Sequence, residues 1–156
     1  MRLGSSRSKC GSTEVVERID GPPSSERLRF EGLEFERLAN GRCRAKVVLS
    51  WADGRQFTGE CEGVISQAGE LRCCAAAAVR ALERVVQPEM GFELLGVKAV
   101  RAFDATVVIV SLSARQENRA SRLVGAFLTE NDAPRGAALA VLNATNRILG
   151  NFFATR

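Results

Sequence analysis

A chain of 156 residues, 46% hydrophobic and 26% charged, has the composition of one globular domain that can bury a core without cross-links. It contains no histidine and no tyrosine, which excludes histidine triads, histidine-ligated zinc or haem, and histidine acid–base catalysis. The net charge of +4 includes no basic run of five or more, so charge alone supports only weak attraction to nucleic acid.

Residues 1–26 are rich in Ser, Gly, Arg and Glu and end in Gly21-Pro22-Pro23-Ser24-Ser25, which reads as a flexible tail. Met1 to Gly11 has no apolar segment of the secretory kind, and no apolar stretch is long enough to span a bilayer. A cytoplasmic protein with no membrane partner is the expectation. Residues 27–156 read as a single α+β domain.

From Arg27 the pattern alternates, with Leu28 and Phe30 before Gly32 and Leu33 and Phe35 after it. The half-step at Gly32 predicts a bulge. Asn40-Gly41 and Asp53-Gly54 are hairpin turns around Cys43–Trp51, in which Cys43, Ala45, Val47, Leu49 and Trp51 share one parity. Gln56–Ile65 alternates again, which completes a three-stranded antiparallel meander.

After Ser66 the period becomes helical. Leu71, Ala75, Ala78, Leu82 and Val85 form one stripe of a helix from Gln67 to Val86, with Ser66 as N-cap and Pro88 beyond its end. A second set follows. Phe92–Val100 is a strand, Phe103-Asp104 a turn, Thr106–Leu112 a central strand, Arg115–Arg119 a polar loop and Ser121–Thr129 a third strand. Asp132 caps a last helix with Pro134 in its first turn. Ala137, Val141, Ala144 and Ile148 form its stripe and Gly150 is its expected stop.

The two sets look like an internal repeat, over about residues 43–87 and 92–150. Gly54-Arg55-Gln56 and Ala114-Arg115-Gln116 lie 60 residues apart and the helix marks Ala76 and Leu139 lie 63 apart, so about three residues are inserted. A unit of this size cannot bury its apolar face alone, so the two must pack together. The expected architecture is two antiparallel strand–strand(–strand)–helix units side by side, with the helices on one face of a shared sheet.

Thr58-Gly59-Glu60-Cys61-Glu62-Gly63 leads into Cys74-Ala75-Ala76-Ala77, and Gly125 precedes a helix reading Ala137 to Arg147 through Asn143-Ala144-Thr145-Asn146. These marks resemble the C-terminal regulatory domain of the 2-isopropylmalate synthase family, an internally repeated strand–strand–helix unit, over about residues 43–150. The family's catalytic barrel has no counterpart here, and Pro134 changes the loop that carries an acidic residue in that family. The resemblance implies a stand-alone regulatory module that pairs into a homodimer, with an amino acid or keto acid as effector.

Gly59, Gly63 and Gly125 either open a small-ligand pocket to backbone N–H groups or mark close helix–sheet packing. Asn143, Asn146 and Arg147 either bond across a dimer, cap a neighbouring strand or form an exposed polar face. Trp51 either anchors an interface or covers the core at a hairpin end. Glu60 and Glu62 read as a solvated outer face. Cys10, Cys43, Cys61, Cys73 and Cys74 are odd in number and lack CxxC spacing, so they read as small buried hydrophobes in a reducing compartment rather than a metal site. No enzyme, cofactor or metal is implied. The preferred function is non-catalytic small-molecule sensing. The alternative is a protein-binding adaptor or structural subunit, and the third reading is weak nucleic-acid binding through Arg115, Arg119 and Arg122.

Overall fold

The fold comes from a computed structural model that describes residues 28–154, with side chains to Gly150. The tail expected over residues 1–26 lies outside the described residues. In chain order the elements are β1 (Arg29–Arg37), β2 (Arg42–Ser50), β3 (Gln56–Val64), α1 (Gln67–Val86), β4 (Met90–Ala102), β5 (Ala105–Gln116), β6 (Arg119–Thr129) and α2 (Ala133–Ala154). The chain is α+β, built from two strand–strand–strand–helix units, as its patterning predicts.

One expectation is corrected. The strands do not share a sheet: β1-β2-β3 form one antiparallel sheet and β4-β5-β6 another. The helices take the space between them. Each helix packs on the last two strands of its own unit and touches the first strand of the other, while α1 and α2 pack on each other. Such a helix must be apolar on more than one side. In α1 that holds: Leu71, Cys73, Cys74, Ala75, Ala77, Ala78, Val79, Ala81, Leu82 and Val86 are all buried. Burying each of the larger side chains among them contributes roughly 1.5–3 kcal/mol.

Strand β2 is the centre of the first sheet. Its inward residues Cys43, Ala45, Val47 and Leu49 are fully buried, and Val108, Val110 and Leu112 play the same part in β5. The pairing of β1 with β2 shifts between Phe30 and Gly32, so the bulge lies where the sequence places it. The pairing of β4 with β5 shifts between Leu94 and Gly96, an equivalent bulge 64 residues further on.

Both helix starts are capped by side chains. Ser66 Oγ accepts from Gly69 N at 2.9 Å, and Asp132 Oδ1 accepts from Arg135 N at 3.1 Å. The second unit has longer strands than its alternation suggests. Arg115 and Gln116 end β5 and Arg119 begins β6, so the expected polar loop reduces to Glu117-Asn118. Gly41 and Gly54 occupy the positive-φ positions that their hairpins need, while the β4–β5 turn holds Phe103 and Asp104 at φ 55° and 61°. Gly150 does not stop α2, which continues to Ala154. One helical glycine costs about 1 kcal/mol, and the buried Leu149 just before it keeps the helix on the core.

Candidate functional site

The glycines that mark the strand ends lie under the helices. A Cβ at Gly59 would stand 2.1 Å from Ala77 O, and one at Gly125 would stand 2.3 Å from Ala140 O. Helix backbone fills the space beside both residues, which is the close-packing arrangement of the two that the sequence allows. Gly63 sits nearby, where a Cβ would meet Cys73 Cβ at 3.3 Å.

The same geometry recurs in a second detail. Arg80 on α1 donates to Glu60 O of β3 at 2.6 Å, and Asn143 on α2 donates to Ala126 O of β6 at 2.9 Å. In each unit a polar helix residue satisfies a carbonyl of the strand its helix covers. Asn143 thus caps a neighbouring strand within the chain. Asn146 and Arg147 are exposed on the same helix, and Trp51 is half-buried where its backbone closes the β2–β3 hairpin through bonds with Arg55 O and Gly54 N.

Equivalent residues of the two units fall 63 to 66 positions apart. The marks Gly54-Arg55-Gln56 and Ala114-Arg115-Gln116 are therefore not equivalent, since Gln56 opens β3 and Gln116 closes β5. Extra strand pairs at the β5–β6 hairpin, from Ala114↔Ser121 to Gln116↔Arg119, account for the insertion.

Four cysteines are described and all are free. Cys73 Sγ donates to Cys61 O at 3.1 Å. Burial, followed by the neighbouring Cys43 and Cys61, pushes the Cys73 thiol up to about 12, and burial raises Cys74 as well. A neutral buried thiol is a poor nucleophile. Among the described residues no group of cysteines and carboxylates is arranged to hold a metal ion, and no helix is long and apolar enough to cross a membrane.

The charged residues resolve into separate sets. Arg44 bridges Glu36 and Glu62 at 3.1 Å each, and the bond it donates to Glu62 raises its pKa further. By register Arg115 and Arg122 lie on the outer face of the second sheet and Arg119 on the other face. The three arginines do not converge.

One cleft does bring mixed chemistry together. It encloses about 610 Å³ between the end of α1, Pro88 and Glu89 in the link, the start of β4 and the end of β5. That volume suits a small molecule. Pro88 is the exposed apolar residue of its lining, and Phe92, 8% exposed, turns its ring into the core behind it. Glu83 Oε2 accepts from Phe92 N at 3.1 Å and ties α1 to β4. Arg115 reaches Glu93 at 3.7 Å, both side chains being largely exposed, and Glu117 completes the rim. The cleft therefore offers carboxylates, one guanidinium and one exposed apolar ring, that of Pro88, at a junction between the two units. Sequence reasoning missed it because its residues are scattered over 35 positions and acquire a common location only when α1 docks on β4.

No protein-family model matches the chain, and no curated protein matches it.

Proposed function

We propose that the protein is a non-catalytic, dimeric sensor of a free amino acid, a regulatory module of the kind its sequence resembles. The observation that carries this reading is the cleft, where Arg115 lies beside Glu93 and the lining also holds Glu83, Glu117 and the exposed ring of Pro88. An α-amino acid is a zwitterion with an apolar side chain. Its carboxylate fits the Arg115 guanidinium, its ammonium fits the carboxylates, and its side chain fits the ring of Pro88. A 2-keto acid lacks the ammonium and uses half of this chemistry. Because the cleft joins α1 of the first unit to β4 and β5 of the second, a ligand there stiffens the junction between the units, which is a physical basis for regulation. The absence of histidine from the sequence and the high pKa of Cys73 support a non-catalytic role.

A thermal-shift panel tests the proposal. It comprises leucine, the other branched-chain amino acids, their keto acids, acyl-CoAs and a short oligonucleotide. A ligand that binds only the folded state, present at about 100 times its Kd, adds roughly 2.7 kcal/mol, seen as a rise of several degrees in Tm. The expected result is a rise with an amino acid and a smaller one or none with its keto acid. A panel without any shift from an amino acid contradicts the sensor and favours a protein-binding adaptor.

A further inference from the structure

The two units carry the same strand positions with opposite chemistry on their outer faces. On the first sheet the row Glu36–Arg44–Glu62 is a ladder of ion pairs, followed by the row Glu34–Lys46–Glu60. The equivalent rows of the second sheet are Val100–Val107–Leu128 and Lys98–Ile109–Ala126. Val124, opposite Ser111 in the next row, takes the place of Thr58. Val100, Ile109, Val124 and Leu128 are 38%, 37%, 64% and 56% exposed, and Phe103 extends the same end of the sheet at 95%. Most of these duplicated positions are polar on the first sheet and aliphatic on the second, the exceptions being Lys98 in place of Glu34 and Ser111 in place of Val48. A contiguous apolar patch of this kind marks an interaction surface.

From the geometry we infer that the outer face of the second sheet is where two copies of the chain pair, which gives the dimer proposed above its interface and rests on that reading. The self-complementarity of the face selects a second copy as occupant. In the row Glu93–Ser113–Arg122 an acid stands on β4, a neutral residue on β5 and a base on β6. A two-fold axis parallel to the strands lays β4 of one copy over β6 of the other. Glu93 then meets Arg122 of the second copy, twice over, while Val100 meets Leu128, Val107 meets its own equivalent, and so does Arg115 at the end of the face, with Glu93 of its own chain beside each guanidinium. The size is also suitable. Three strands about 4.8 Å apart and roughly 40 Å long give a plan area of about 580 Å², which side-chain relief brings towards the ~800 Å² per partner of a stable interface. Glu93 is also on the rim of the cleft, so the interface and the ligand site share a residue.

Sedimentation equilibrium on the full chain at micromolar concentration, with matched circular dichroism, tests this. Wild type is expected at twice 16.9 kDa. Ile109→Arg and Val124→Arg are expected to give folded monomers, the dissociation constant rising at least a hundredfold. Thr58→Arg, the Val124 equivalent on the first sheet, is expected to leave the dimer intact. Arg122→Glu should raise the dissociation constant about tenfold, and adding Glu93→Arg should restore it. A dimeric wild type that stays dimeric in both Ile109→Arg and Val124→Arg overturns the interface while leaving the dimer standing. A monomeric wild type overturns both, and the face then falls to residues 1–27 or to another protein.

Discussion

Cys73 and Cys74 couple the core to pH. Both thiols are free and buried, and burial raises their pKa values, that of Cys73 to about 12. In the unfolded chain a thiol ionises near 8.5. A folded pKa above the unfolded one means that the stabilisation is complete below about 8.5 and is lost as pH rises towards 12. The Tm is therefore expected to fall between pH 8.5 and 10.5 in wild type and to fall less in the Cys73→Ala/Cys74→Ala double variant. Parallel melts on the two proteins check this, and equal slopes contradict it. The sequence shows that these cysteines lack metal spacing, and the structure adds that Cys43, Cys61 and Cys73 converge across β2, β3 and α1, a contact between positions up to 30 residues apart that no local pattern reports.

The strand–helix contact is the feature the two units share most closely. Gly59→Ala and Gly125→Ala each drive a Cβ into helix backbone, at 2.1 Å and 2.3 Å, where no flexible side chain can yield. Each is expected to cost about 1–3 kcal/mol, the range of an overpacked core. Gly32→Ala meets nothing within 4 Å and is expected to change stability by under about 0.5 kcal/mol. Urea unfolding midpoints for the three variants read this directly, and a tolerated Gly125→Ala contradicts it. Much of each element is legible locally. Ser66 and the Leu71–Val85 stripe place α1 over Gln67–Val86, and the half-step at Gly32 places the bulge. What local patterns miss is set by packing. The β5–β6 ladder runs on through polar residues to Gln116↔Arg119 because each strand satisfies the other's backbone, and α2 passes Gly150 with Leu149, the residue before it, buried in the core.

For the whole molecule, two helices wedged between two sheets leave each sheet an outer face and leave a cleft where α1 meets β4. Whether two repeated units share one sheet or form two is invisible to alternation, because the period is the same in both cases. It depends on the buried circumference of α1, which reads as a single stripe in sequence but is apolar on several sides. The cleft follows from that docking, and so does the proposed function. Titration calorimetry of the full chain with the amino acid that raises Tm, in wild type and in Arg115→Gln, tests the sensor most directly. Saturable binding in wild type, weakened at least tenfold in Arg115→Gln with the Tm of the unliganded protein unchanged, is the predicted result. Binding of equal strength in both proteins, or no binding in wild type, would contradict it.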